Sequence, residues 1–174
     1  MTIETTNEDY KKYFDPKEYI THIVGVDSDS ETPIGENDKE VVLMTSLLTD
    51  PKHRDVREET LLMLKKDKKE DVLLVAIAKQ KDKNIQHQLV AACWESEINF
   101  SKYLPFFVML LTADDYLVLL EAITVIQEME GPFDQEQLKK AIDHVKKLKK
   151  NVSDERQVLL NDVLDALNGY LIAE

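Results

Sequence analysis

One spacing recurs along this chain and limits its fold more than any other feature. Between Asp82 and Glu130, small and apolar residues fall at i, i+4, i+7 and i+8. They are Ile85, Leu89, Ala92 and Cys93, then Val118, Ala122, Val125 and Ile126. That is the period of a helix, since strands repeat every second residue. The same face returning after a short apolar segment marks a repeated unit. The spacing predicts three helices: Lys83 to about Glu97, about Lys102 to Leu111, and Ala113 to Glu130. The middle one is apolar on nearly every side.

The flanking sequence extends the pattern. Asp15-Pro16 is a helix start, because proline at the first helical position loses no intrahelical hydrogen bond, and that helix is expected to stop at Gly25. Just before and within it, Tyr10, Tyr13, Phe14 and Tyr19 form an aromatic cluster. The loop Gly25 to Asp38 alternates Asp27, Asp29 and Glu31 as a calcium loop does. It puts Thr32 where such a loop turns on glycine and Asp38 where a bidentate Glu closes it, so it reads as a solvated acidic loop. From Lys39 the helices follow closely. Val41 to Leu48 is one, and Asp50-Pro51 opens the next, with Val56, Thr60, Met63 and Leu64 expected inward. Asp67 with Glu70 has the spacing of a capping box ahead of Val72 to Ala78, as Thr112 with Asp115 and Asp134 with Gln137 do further on. Ser153 starts the last helix, with Leu159, Val163, Ala166 and Leu167 inward. The expectation is about nine helices and no strand, in one domain over residues 1–174. Residues 1–38 form an N-terminal helix and acidic loop, and residues 39–174 form the helical repeats.

Val56-Arg57, Thr60, Met63 and Leu64, preceded by Asp50-Pro51, resemble the first helix of a HEAT repeat. Ile85-Gln86, Leu89, Ala92 and Cys93 repeat the pattern, as do Val118, Ala122, Val125 and Ile126, and Leu159, Val163, Ala166 and Leu167. Leu104-Pro105, Val108 and Leu111 are similar to the second helix of such a repeat. The family's arginine stands at Arg57 and is replaced by Gln86 and Leu119. The resemblance covers roughly residues 50–174. It implies an all-α fold: a right-handed α-α superhelix of three to four short repeats behind an N-terminal helical cap.

Composition narrows the function. Apolar residues make up 43% of the chain, enough for a packed core. The net charge is −12, which repels a phosphate backbone, so no nucleic-acid partner is expected. Two lysine clusters, Lys65 to Lys69 and Lys139 to Lys150, read as solvated faces. The longest uncharged run in the helical body, Tyr103 to Ala113, falls short of the ~20 residues that span a bilayer. With a polar, acidic start and the single Cys93, the chain reads as cytoplasmic, with no membrane partner and no disulfide. The G-x-S-x-G elbow, the phosphate-binding glycine loop and the H-E-x-x-H pair are absent, so no catalytic residue, metal or cofactor is expected. Cys93 falls at a core position and reads as a buried thiol.

The second helices carry more apolar surface than one-sided packing requires. With Val72, Val75 and Ala76, then Leu104, Phe107 and Val108, then Leu138, Ala141 and Ile142 facing the core, the other side presents Leu74, Tyr103, Phe106, Leu110, Lys140 and His144. In HEAT-like solenoids the second helices line the concave surface. The resemblance therefore implies a non-catalytic scaffold that binds a protein or peptide along that strip. The same face offers a contact between two copies. The rival readings are a small-ligand or enzyme pocket at Tyr103, Phe106 and His144, and an acidic inhibitor imitating DNA.

Overall fold

The computed structural model describes residues 36–173, and these are helical without a strand. The N-terminal helix, the aromatic cluster and most of the acidic loop lie outside the described residues. From Glu36 onward the loop's last positions begin the first described helix. The chain divides into two compact units, residues 1–98 and 99–174.

In the first unit α1 spans Glu36–Thr49, α2 Arg57–Lys66, α3 Glu70–Lys79 and α4 Lys83–Glu95. Helix α1 packs on α3 and α4, and α3 packs on α4. Leu48, Leu64, Leu73, Ile77 and Leu89 meet in the core, each at most 2% exposed. Arg57 ties the unit together: its Nε donates to the Leu48 carbonyl at 3.3 Å, and its guanidinium pairs with Glu95. Lys69 pairs with Glu40 at 2.7 Å, and the hydrogen bond and charge of that carboxylate raise the Lys69 pKa. Gln86 is buried in the core, where its amide donates to the Ile77 carbonyl at 3.0 Å.

Two details here differ from the sequence reading. Met63 is 54% exposed and Leu61 takes the inward place beside Thr60 and Leu64. The segment ahead, Pro51–Val56, is a tight 3-10 helix with a kink at His53, and the α-helix begins only at Arg57. Within that helix Thr60, Leu61 and Leu64 share the inward face, so the buried stripe runs i, i+1, i+4 and leaves Met63 at its edge. Asp67 does not cap α3. It closes α2, its N–H reaching the Met63 carbonyl, and Lys68 follows at φ 53°, the left-handed turn that ends many helices. Helix α3 starts after Lys69 with no side-chain cap.

In the second unit a 3-10 turn, Ser101–Tyr103, leads into α5, Leu104–Leu110. Then come α6, Tyr116–Gln127; α7, Gln135–Lys149; and α8, Asp154–Ile172. Helix α5 packs on α6 and α7, α6 on α8, and α7 on α8. Val118, Ala122, Val125 and Ile126 are all buried, as their spacing requires. In α8 the buried set is Leu160, Val163, Leu164 and Leu167; Leu159 and Ala166 are only half-buried, so the stripe centres on the larger leucines. Beyond α6, Gly131 adopts φ 80°, a conformation glycine tolerates without a Cβ clash. Its N–H donates to Ser101 Oγ at 2.8 Å. Tyr170 on α8 closes the end of α6, its hydroxyl donating to the Ile126 carbonyl at 2.7 Å while its ring stacks on Phe133.

The caps Asp82, Asp134 and Ser153 accept the backbone N–H bonds expected of them. Thr112 does not. Its hydroxyl donates back to the Met109 carbonyl at 2.7 Å, and Asp115 accepts from Val118 N at 3.0 Å as the cap of α6. Asp115→Ala is therefore expected to cost about 1 kcal/mol of stability, and Thr112→Ala within about 0.5 kcal/mol, by denaturant unfolding. Equal losses would show that Thr112 shares the capping.

Candidate functional site

The apolar strip expected to be accessible is interior. Leu74 is 1% exposed and belongs to the first unit. In the second unit, Tyr103 and Leu110 are buried and Phe106 is fully so. The reason lies in α5, of which every residue is buried: a helix apolar on all sides has no side to leave in water. Phe106 stands edge-on to Phe107 at 5.3 Å and 87°, and Phe107 is edge-on to Phe100 at 5.4 Å. Of the other strip positions, Lys140 is exposed and pairs with Glu136 at 2.8 Å. His144 is half-buried; burial, and then the charge of Lys147, lower its pKa.

A concavity lies elsewhere, within the first unit. A cleft of about 1060 Å³ lies between α1, the start of the 3-10 segment, the end of α3 and the start of α4. Its apolar wall is Val41, Val42, Ala76 and Ile85, with Val42 66% exposed. Local structure accounts for the polar rim. Thr45 and Thr49 turn their hydroxyls back to carbonyls one helical turn earlier, at 2.9 and 2.7 Å. Asp50 accepts from Lys52 N, and Asp82 from Asn84 N and Ile85 N, capping the helices that start at the cleft. His53 Nδ1 lies 3.1 Å from the Ser46 carbonyl, and the Gln88 amide donates to the Asn84 carbonyl at 3.0 Å. Arg54 and Lys79 bring positive charge to the same rim.

Such a cleft suits recognition by burial. Many of its polar groups hold their own backbone, leaving Val42, the half-buried Ile85 and Pro51 as the apolar side chains with surface to offer. Among the described residues no group of three or more His, Cys, Asp or Glu could hold a metal ion, and no helix is long and apolar enough to cross a membrane. The sequence reading missed the cleft because its walls come from segments far apart in the chain. One signal was present: Val41, Val42, Leu43 and Met44 are consecutive, more apolar surface than a single stripe on α1 can bury.

No family model, curated protein or solved structure matches the chain.

Cys93 is fully buried, and burial alone pushes its pKa well above the ordinary thiol value; Sγ lies 3.7 Å from the Leu89 carbonyl. The thiolate is the reactive form, so Cys93 should resist a thiol reagent in the native protein and react fully once unfolded. Rapid native labelling would refute the burial. Phe106→Ala and Phe107→Ala should each cost ~3–5 kcal/mol in denaturant unfolding, since both rings leave cavities. A small loss at Phe106 alone would restore the accessible strip.

Proposed function

We propose that the chain is a non-catalytic module that binds a protein or peptide segment in the cleft of its first unit. Its helices are read as a short HEAT-like solenoid, a right-handed superhelix working in the cytoplasm. The observation that carries the binding reading is the exposed Val42 facing a cleft walled by Val41, Ala76 and Ile85. Pockets that hold ligands are concave and mostly apolar, with a few polar groups that set orientation. The solenoid reading is supported by the recurring stripe and by packing in the second unit, where α5 lies on α7 and α6 on α8, as first and second helices of successive repeats do.

The test is selection of peptides from a random display library on the full-length protein, followed by mapping of the bound peptide through backbone amide shifts. Selected peptides should perturb Val42, Thr45, Ile85 and Gln88. Ile85→Glu or Val42→Asp should weaken them at least about tenfold, as loss of a central apolar anchor does, with the helical signal unchanged. Peptides that map elsewhere, or that ignore both substitutions, would overturn the assignment.

A further inference from the structure

Helices α7 and α8 are joined through Lys150–Ser153 and pack closely, so they run antiparallel. Their buried faces rest on α5 and α6, and their exposed faces form one outer surface. On α7 and at its C-cap that surface carries Lys139, Lys146 and Lys150, all exposed, at i, i+7 and i+11. On α8 it carries Asp154, Asn161 and Asp165 at the same spacing, with exposed Asp162 beside them. Residues eleven apart on a helix lie almost in line and about 16 Å apart. A row of cations therefore runs beside a row of carboxylates. Among the described residues, Lys139, Lys146 and Lys150 have no carboxylate partner, and Asp154, Asp162 and Asp165 have no cation partner.

We propose that this face binds a second copy of the chain, making a two-fold symmetric dimer held by charge. With the two-fold axis lying in the contact plane and parallel to the helices, α7 of one copy meets α8 of the other, and the reverse contact forms at the same time. Residues equally far from the α7–α8 turn share a level. The symmetry thus sets Lys150 opposite Asp154 of the other copy and Lys139 opposite Asp165. The two acidic residues on the exposed side of α7, Glu136 and Asp143, fall opposite Asn168 and Asn161, so neither meets a like charge. Val158, 61% exposed, meets the aliphatic stem of Lys146. Turning the copy about the perpendicular in-plane axis would set lysine against lysine, so charge alone selects one arrangement.

A second copy fits better than an extended polyanion. Residues 139–150 carry +5, while 91–138 and 151–174 carry −8 and −4, so a phosphate chain running past α7 enters a repulsive field. Two helices about 22 Å long and about 10 Å wide offer roughly 900 Å² in total, below the ~1,200 Å² of stable interfaces. The dimer is accordingly weak and salt-dependent.

Sedimentation equilibrium on the full-length protein tests it. At low salt the mass should rise with concentration toward twice the monomer, and at high salt stay monomeric. Lys139→Glu with Lys150→Glu should weaken the dimer at least about tenfold, as should Asp154→Lys with Asp165→Lys. All four positions are exposed, so circular dichroism should be unchanged. The decisive sample mixes the two double variants: each reversed α7 then faces a reversed α8, and a heterodimer should form where neither variant dimerises alone. A monomer at low salt overturns the proposal. So does a dimer that survives both reversals, a mixture that fails to associate, or a lysine row that instead retains duplex DNA or anionic vesicles.

Discussion

The second unit depends on a seven-residue helix with no polar face. Leu104–Leu110 is under two turns long, too short to hold itself helical in water, and all its residues are buried. It forms only because other elements enclose it. Phe100 and Phe107 meet edge to face, α6 and α7 pack against it, and α8 covers α6 and α7 in turn. The contacts that order α5 are thus long-range, and loss of any enclosing element exposes its aromatic rings together. The same burial explains why a strip read as a binding surface is structural. Tyr103, Phe106 and Leu110 contribute to the core that makes α5 possible.

Much of the architecture was legible because helical periodicity and capping are local. The stripe of α6, that of α4 apart from the half-buried Ile85, the caps Asp82, Asp134 and Ser153, and the buried Cys93 all follow from spacing within one turn or two. The misreadings arose where a neighbouring element decided the outcome. In α2 the buried stripe took in Leu61 and left Met63 exposed. Thr112 found a carbonyl behind it before it could serve the helix ahead. The all-apolar α5 was recognised, yet its outer side was assigned to a groove, because sequence alone does not say how many neighbours enclose a helix. The cleft was not legible at all: Val42 and Ile85 are separated by the whole of α2 and α3.

Charge obeys the same division between local and distant. The net −12 predicts repulsion from phosphate, but it averages over segments of opposite sign. Within α7 the basic residues of the last turn complement the helix dipole, a local benefit of about 0.3–1 kcal/mol each. That accounts for Lys146, Lys147 and Lys149 but not for Lys139 near the helix start, nor for the matching carboxylates on α8. Two neighbouring helices carrying opposite charge at one spacing is a relation between elements. Composition and net charge leave it unseen.

For the proposed binding role, energetics bear on the kind of ligand the cleft would take. Fully burying Val42 and Ile85 would supply about 1.5–3 kcal/mol each. Association costs an estimated 4–15 kcal/mol in lost freedom before any contact counts. Two anchors therefore do not suffice, and a small apolar molecule touching only these would bind weakly. Arg54 and Lys79 on the rim add little, since exposed ion pairs contribute about 0–1 kcal/mol. A ligand that engages Val42, Ile85 and the length of α1 between Val41 and Thr49 buries more surface. The ligand proposed for the cleft is therefore an extended or helical peptide rather than a compact metabolite. Its affinity should rest on apolar area and vary little with salt.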